Sequence, residues 1–233
     1  MSVSFQYAYL LGDFFFLLLW LFLFVARKNA RRDMLILGSF FGLIMLVTQY
    51  YWWTVDWWRP ETIFGTRVGF EDLLLGFTST GVVTAIYDIS YVWRPFVRTS
   101  VLSGVAVIPV LFITAALFWV VGLTSFWAVI TAMLLGILFI YPFERISIMT
   151  GVACGTFFTL ATFCFYYPIL LLSPGWVDAT YDFQNLSGVI LAGIPIEEFV
   201  FWILFGIIFG PFYAYWRRAG VSQKGFAHRD GIQ

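Results

Sequence analysis

The chain has 233 residues, of which 61% are hydrophobic and 11% are charged, and its formal net charge is zero. Soluble domains carry about 25% charged residues, so this composition excludes a water-soluble domain and indicates a membrane protein. The neutral balance gives no reason to expect a nucleic-acid partner. With one histidine, His228, and two cysteines, Cys154 and Cys164, which we interpret as buried core residues, we predict no metal site.

Seven apolar segments follow one another along the chain. They run near Tyr7–Ala26, Met34–Trp53, Gly69–Tyr87, Thr99–Val121, Phe126–Tyr141, Ile146–Leu172 and Pro195–Trp216. With some tilt, each can cross a hydrocarbon core about 30 Å thick. The first has no basic residue before it, so we interpret it as a retained helix and not as a signal peptide. We predict an all-α integral membrane protein with seven transmembrane helices.

Basic residues lie mainly on one side of these predicted helices. The first, third and fifth connections and the C-terminal tail carry Arg27, Lys28, Arg31, Arg32, Arg94, Arg98, Arg145, Arg217, Arg218, Lys224 and Arg229. The opposite side carries only Arg59 and Arg67. By the positive-inside rule, the N-terminus lies outside and the C-terminus in the cytoplasm, as in a multi-pass protein of the cell membrane.

Aromatic residues are dense, at 22% of the chain, and six of them gather at the outer end of the second segment. These are Tyr50, Tyr51, Trp52, Trp53, Trp57 and Trp58. Tyrosine and tryptophan concentrate at the membrane–water interface, so we interpret this group as an interfacial belt, with a substrate role as the alternative.

The third and seventh segments begin alike. The third segment reads GFEDLLLGF from Gly69, and the seventh reads PIEEFVFWI from Pro195. An offset of 126 residues therefore aligns Glu71 with Glu197. This pattern predicts two parallel three-helix repeats joined by a linking helix, a 3+1+3 plan. The predicted boundaries are 1–98 for the first repeat, 99–121 for the linking helix, 126–218 for the second repeat and 219–233 for a polar, flexible tail.

Acidic residues open the third and seventh segments, and one more lies inside the first. Acids in the first turn favour the positive end of the helix dipole, so helix-start chemistry is one explanation. Acids in a membrane span are costly, however, and usually face a cavity. We expect five carboxylates in one layer at the outer ends of the helices: Asp13, Glu71, Asp72, Glu197 and Glu198. Like charges in a dry site can leave one member protonated beside an ionised one, which makes an acid/base pair.

The chain lacks the residues that several other functions require. The chain has no GxGxxG or P-loop motif, so dinucleotide and nucleoside-triphosphate binding are without support. A retinal protein needs a lysine inside a span, whereas the only lysines are Lys28 and Lys224. A small transporter remains an alternative, because some sugar carriers use a 3+1+3 plan and membrane carboxylates relay protons. Against it, Asn and Gln are nearly absent from the predicted spans, with Gln49 as the main exception.

The motif PIEEFVFW, its weaker copy GFEDLLLGF and the helix count resemble the lycopene cyclase domain family, over Tyr7 to Arg218. The stretch YAYLL at Tyr7 and the YW end at Tyr215 agree with the resemblance. The first copy departs from the family pattern, because Gly69 stands where a proline is expected and Asp72 is a shortened acid. This departure places an equal role for the first repeat in question.

The resemblance implies an enzyme that closes the acyclic ends of a carotenoid such as lycopene into ionone rings, an acid-catalysed isomerisation without net redox change. It implies Glu197 and Glu198 as the primary acid/base pair, with Glu71 and Asp72 assisting or forming a second site. We predict that the substrate is bound by Asp13, Phe70, Phe77, Phe199, Phe201 and Trp202. Aromatic faces suit this role because they stabilise a cation.

No flavin motif is present, so we predict no cofactor. The partners that the resemblance implies are the lipophilic polyene and membrane lipid, and it leaves open a homo-oligomer or a complex with other carotenoid enzymes. A carotenoid-binding membrane protein without chemistry is a further alternative, which the altered first motif allows.

Overall fold

The computed structural model describes residues 3–91, 107–144 and 148–227. It is mostly helical, as predicted. Its helices are α1 (Phe5–Ala26), α2 (Arg31–Thr48), α3 (Thr54–Asp56), α4 (Phe70–Tyr91), α5 (Val107–Ala116), α6 (Ser125–Glu144), α7 (Ile148–Leu172), α8 (Trp176–Thr180) and α9 (Ile196–Ala227). Helices α2 and α5 each continue into a π-helical turn, Gln49–Trp53 and Leu117–Val121. A hairpin that the sequence did not predict pairs β1 (Ile190–Leu191) with β2 (Ile194–Pro195).

A helix occupies each of the seven predicted apolar segments. Three stretches of the described chain are long and apolar enough to cross a membrane: Phe5–Ala26, Arg31–Asp56 and Ile148–Leu172. They indicate a membrane protein. The last helix begins at Ile196, one residue after the predicted start, and continues to Ala227, so the predicted tail begins inside it. The start of the fourth segment and the residues Arg94, Arg98, Arg145, His228 and Arg229 lie outside the described residues.

One end of the helix bundle collects the N-termini of α1, α4, α6 and α9 and the C-terminal ends of α2 and α7. The backbone N–H of Val3 donates to Leu172 O at 2.6 Å, which joins the start of α1 to the end of α7. At the start of α6, the Ser125 N–H donates to both Asp56 carboxylate oxygens at 3.1 Å. Because the acidic pairs open α4 and α9, we call this the acid end.

Glycines allow two helix pairs to approach closely. Along α2 and α4, a Cβ on Gly76 would lie 3.0 Å from the Cα of Gly42. Along α7 and α9, Gly155 and Gly206 face each other, and a Cβ on Gly155 would run into the carbonyl oxygen of Ile203. In membrane bundles, where lipid is as apolar as the side chains, such close backbone packing is a main source of helix association.

The predicted aromatic belt is only partly correct. Tyr50 and Tyr51 are half exposed, but Trp53, Trp57 and Trp58 are buried. The π-helical turn and the short α3 extend α2 to Asp56, and these tryptophans pack into the bundle. Trp57, for example, packs edge-on against Phe201, with ring centroids 5.2 Å apart. The interpretation of the cysteines is likewise half right, since Cys154 is buried and Cys164 is exposed, and both are free thiols.

Candidate functional site

At the start of α4, the Asp72 side chain is buried and accepts three hydrogen bonds. Its Oδ1 accepts from the Tyr9 hydroxyl at 3.0 Å and from Gln49 Nε2 at 2.6 Å. Its Oδ2 accepts from the backbone N–H of Gly69 at 2.7 Å, so Asp72 also caps the helix as the third residue of the first turn often does. Gln49 is held in turn by the Trp58 indole, which donates to Gln49 Oε1 at 3.0 Å. Three donors fix the carboxylate in one orientation.

Two further acids lie beside Asp72, and neither has its oxygens fully satisfied. Glu71 accepts the backbone N–H of Ile63 at 2.6 Å with Oε1, while its buried Oε2 has no hydrogen-bond partner among the described residues. Asp13 is 0% exposed, and neither of its oxygens has such a partner. Its carboxyl group interacts electrostatically with those of Asp72 and Glu71. Buried polar atoms are rarely left unpaired, so these oxygens single out the cluster as a candidate site.

The start of α9 presents a second buried pair with similar contacts. Glu197 accepts the backbone N–H of Ser187 at 2.6 Å with Oε1, and its buried Oε2 has no partner among the described residues. Glu198 accepts a hydrogen bond from the Tyr166 hydroxyl on α7. The Trp202 indole, one turn further along α9, donates to that same hydroxyl at 3.4 Å. The two pairs thus have matching contacts. The first acid of each pair, Glu71 or Glu197, accepts a backbone N–H from a loop. The second acid accepts from a side chain of the preceding long helix: Glu198 from Tyr166 on α7, and Asp72 from Gln49 in the π-helical turn that extends α2.

Residues 69 and 195, which precede the two pairs, account for one difference between the second acids. Both acids accept from a phenol, Asp72 from Tyr9 and Glu198 from Tyr166. Gly69 also supplies an N–H to Asp72, whereas Pro195 has no N–H to give. The departure of the first motif from the family pattern, a glycine in place of proline, therefore adds a hydrogen bond to the first pair.

An aromatic contact connects the two groups of acids. Trp58, which holds Gln49, and Tyr181 pair their backbones as an antiparallel bridge, and their rings lie 6.0 Å apart. The Tyr181 hydroxyl lies 3.2 Å from that of Tyr166. Burial, with the neighbouring Glu198 charge as the second cause, raises the pKa of the Tyr181 phenol well above its usual range, so it stays protonated. The loops before α4 and α9 are thus tied together above both pairs.

The structure places the five predicted acids at the acid end, all of them buried. Their contacts divide them into a group of three, around Asp72, and the pair on α9. The ion pairs found among the described residues, Arg27–Asp88 and Arg59–Asp182, involve none of the five. Hydrogen-bond donors, and no cationic side chain of the described residues, therefore contact these carboxylates.

The predicted aromatic residues are distributed unevenly. Trp202 is buried beside the Tyr166 hydroxyl, and Phe201 packs on Trp202 at 4.8 Å between ring centroids. Phe199 lies half-buried against Phe163. In the first repeat, Phe77 packs against Trp20, and Phe70 is 57% exposed. Only the second pair is thus surrounded by the aromatic residues that the sequence analysis named.

Sequence reasoning did not assign the residues that bind the acids or the residues that hold those partners. Tyr9, Gln49 and Tyr166 donate to the acids. Trp58 donates to Gln49, and the Tyr181 hydroxyl lies against that of Tyr166. A signal existed for one of them, because Gln49 stood out as a polar residue at the end of a span. The tyrosines and the tryptophan had no such signal in a chain with 22% aromatic residues.

These features define a class: a helical membrane protein that holds unpaired carboxyl oxygens in a buried, aromatic-lined end of its bundle. The model of the lycopene cyclase family matches the chain over residues 6–90 and 124–216. The chain belongs to the lycopene cyclase family. Membership supports a carotenoid cyclase function and a carotenoid substrate. Comparisons with curated proteins and with solved structures gave no match.

Proposed function

We propose that this protein closes the ends of an acyclic carotenoid such as lycopene into six-membered rings by acid catalysis. The observation that supports this most is the buried oxygen on Glu197 that has no hydrogen-bond partner among the described residues, in a chain of the lycopene cyclase family. An apolar polyene offers no hydrogen bonds to a site. A carboxyl oxygen that is dry and free can instead give its proton to a carbon–carbon double bond.

The reaction conserves atoms and electrons. The proton adds to the terminal double bond and leaves a tertiary cation. The next double bond along the chain attacks this cation, which forms the new carbon–carbon bond of the six-membered ring. Loss of a ring proton then restores a double bond. One C–H bond forms and another breaks, so the enzyme is an isomerase of the intramolecular lyase type.

Glu197 and Glu198 form the primary acid/base pair in this proposal. Glu197 gives the proton through its free Oε2, and Glu198, whose orientation is fixed by Tyr166, accepts the proton that leaves the ring. The pair ends the cycle with the number of protons with which it began. Phe201 and Trp202 stabilise the cation, since an aromatic face attracts a cation by about 0.5–2 kcal/mol.

Glu71 and Asp72 assist this pair or form a second site, with Asp13 as a substrate-binding group. The matching contacts support that assignment: Glu71 and Glu197 each bind one loop N–H and keep one oxygen free. They also support two parallel repeats. We therefore keep the plan of seven spans in a 3+1+3 order, with repeats over 1–98 and 126–218 and a multi-pass location in the cell membrane.

The test is expression in a lycopene-accumulating bacterium, followed by chromatography of the extracted pigments. We expect lycopene to decrease and cyclised carotenoids to appear. Unchanged lycopene, with no cyclised product from a correctly inserted protein, would overturn the proposal. Unchanged pigment that co-purifies with the protein would point to a carotenoid-binding protein, and proton-coupled uptake by vesicles would point to a transporter.

The site assignment has its own test. Glu197→Gln and Glu198→Gln keep the size of the side chain and remove the proton-carrying group. We expect each to abolish ring formation. Glu61→Gln is the matched control, because Glu61 is exposed in the loop before α4. Cyclisation by both variants at the rate of the control would show that the pair on α9 is not the acid/base pair.

A further inference from the structure

A cavity of about 570 Å³ opens at the acid end, outside the acid cluster. It is lined by Thr54, Val55, Arg59, Pro60 and Arg67. Two of these residues, Arg59 and Arg67, are the only basic residues that the sequence places on this side of the membrane. A cavity that contains both of them has the charge to bind an anion.

The guanidinium of Arg67 is held in a fixed orientation. Its Nε donates to the Thr54 hydroxyl at 2.7 Å, and its Cζ lies 4.9 Å from the centre of the Tyr50 ring. Arg67 takes part in neither of the ion pairs found among the described residues. No described residue accepts a hydrogen bond from its two terminal nitrogens, which are the pair that binds phosphate or carboxylate in a bidentate manner.

Arg59 contributes a second positive charge. Its Nη2 donates to the Val55 carbonyl oxygen and lies 3.7 Å from Asp182 Oδ2, longer than a hydrogen bond, and its side chain is 58% exposed. The same Asp182 oxygen also accepts a hydrogen bond from Asn185 Nδ2 at 3.2 Å. Of the five described residues that line the cavity, two are arginines and none is acidic.

An exposed apolar stripe leads from the membrane-spanning part of α2 to this cavity. It consists of Leu43, Val47, Tyr51 and Val55, which follow one another at intervals of four residues. Val55 is also part of the cavity wall. The stripe lies on a helix that is apolar enough to cross a membrane, and the half-exposed Tyr50 and Tyr51 mark the level of the lipid head groups.

We propose that this cavity binds the phosphate of a phospholipid head group, with an acyl chain lying along the stripe. The two parts of the site match the two parts of the ligand: guanidinium groups for the phosphate and an apolar helix face for the chain. The site is independent of the proposed cyclase reaction, because neither arginine contacts the five acids.

The test is native mass spectrometry of the full chain in detergent, with dioleoylphosphatidylglycerol added. Dioleoylglycerol, which has the same chains and no phosphate, is the ligand control. We expect Arg67→Gln to lower the affinity for the phospholipid roughly tenfold, the equivalent of about 1.4 kcal/mol. Arg67→Lys keeps the charge without the planar fork, so we expect a smaller loss. Arg32→Gln is the protein control, because Arg32 is an exposed arginine at the opposite end of α2.

Three results would overturn the proposal. The first is equal binding of the two lipids by the unmodified protein. The second is equal loss in Arg67→Gln and Arg32→Gln, which would indicate a general effect of positive charge. The third is displacement of the lipid by equimolar inorganic phosphate, which would make the cavity a site for free phosphate. Because no step measures ring formation, failure here leaves the proposed cyclase function untouched, and the pigment experiment likewise leaves this site untouched.

Discussion

The backbone N–H of Gly69 donates to Asp72 Oδ2 at 2.7 Å, across the first turn of α4. The residue at the same place before α9 is Pro195, which has no N–H. The buried carboxylates of the two acidic pairs are therefore held by different means. Proline restricts the chain before one pair, and glycine supplies a hydrogen bond before the other.

Gly69→Pro should remove this hydrogen bond and disturb the first group of acids. A Cβ at this position would also run into Glu71 Oε2 and lie 3.1 Å from the Thr62 side chain, so the substitution must displace the Glu71 carboxylate as well. Hydrogen bonds to a charged group are worth about 1.5–3 kcal/mol, so we expect at least a tenfold loss of ring formation if Asp72 takes part. The control is Pro195→Gly, which removes no hydrogen bond and should reduce stability by only about 1 kcal/mol. Equal pigment conversion by the two variants would show that the Gly69 contact has no role in the reaction.

Tyr166→Phe should slow ring formation while leaving the fold intact. The variant keeps the ring and removes the hydroxyl that donates to Glu198 and accepts from Trp202. We expect cyclised pigment per unit of protein to decrease several-fold. Tyr167→Phe is the matched control, because Tyr167 is 58% exposed on the same helix. If both variants convert lycopene equally well, Tyr166 does not orient the proposed base.

Trp58→Phe and Trp176→Phe make a pair that tests one hydrogen bond. Both tryptophans are buried, and their rings lie 6.4 Å apart. The Trp58 indole donates to Gln49, whereas the Trp176 indole has no partner among the described residues. We expect the first substitution to cost about 1 kcal/mol more in the free energy of unfolding than the second. Denaturation followed by circular dichroism in detergent would measure the difference, and a larger cost for Trp176→Phe would contradict it.

Asp13→Asn and Asp72→Asn should differ in stability, although both remove an acid from the same group. Asp72 accepts three hydrogen bonds, and an amide nitrogen cannot accept any, so we expect Asp72→Asn to destabilise the protein by about 1–3 kcal/mol. Asp13 loses no hydrogen bond, and its variant should unfold at the temperature of the parent protein. If Asp13→Asn lowered the unfolding temperature and Asp72→Asn did not, the predicted difference between the two acids would be wrong.

Gly155→Leu should separate α7 from α9. A side chain here meets the Ile203 carbonyl oxygen, and backbone atoms cannot move aside as side chains can. Overpacking of this kind costs about 1–3 kcal/mol. Thr156→Leu, on an exposed position of the same helix, is the control and should leave the unfolding temperature nearly unchanged. A similar decrease in both variants would mean that α7 and α9 do not depend on the close contact.

The acids and the helices could be found from the sequence, but the partners of the acids could not. Glu71 and Glu197 can be predicted as site residues because each is a charged residue at the edge of an apolar segment, where charges are costly and therefore rare. Tyr166 lies 32 residues before Glu198 in an apolar segment, and only the packing of α7 against α9 brings them together. The prediction that Trp57 and Trp58 belong to an interfacial belt is wrong for a related reason. Interfacial and buried tryptophans have the same sequence pattern, and hydropathy does not indicate the π-helical turn that precedes these two.

The tie between Trp58 and Tyr181 restricts how a long molecule can reach the acids. On either side of this pair, the Arg59 N–H donates to Thr180 O at 2.7 Å and the Asp182 N–H to Trp57 O at 2.8 Å. We expect the proposed substrate, an apolar polyene that dissolves in lipid, to enter sideways from the bilayer and not between these two linked loops. In our proposal, substrate and product therefore travel in two dimensions, within the leaflet. Turnover would then follow the fluidity of the membrane and the concentration of pigment in it, and would be indifferent to the volume of the surrounding water.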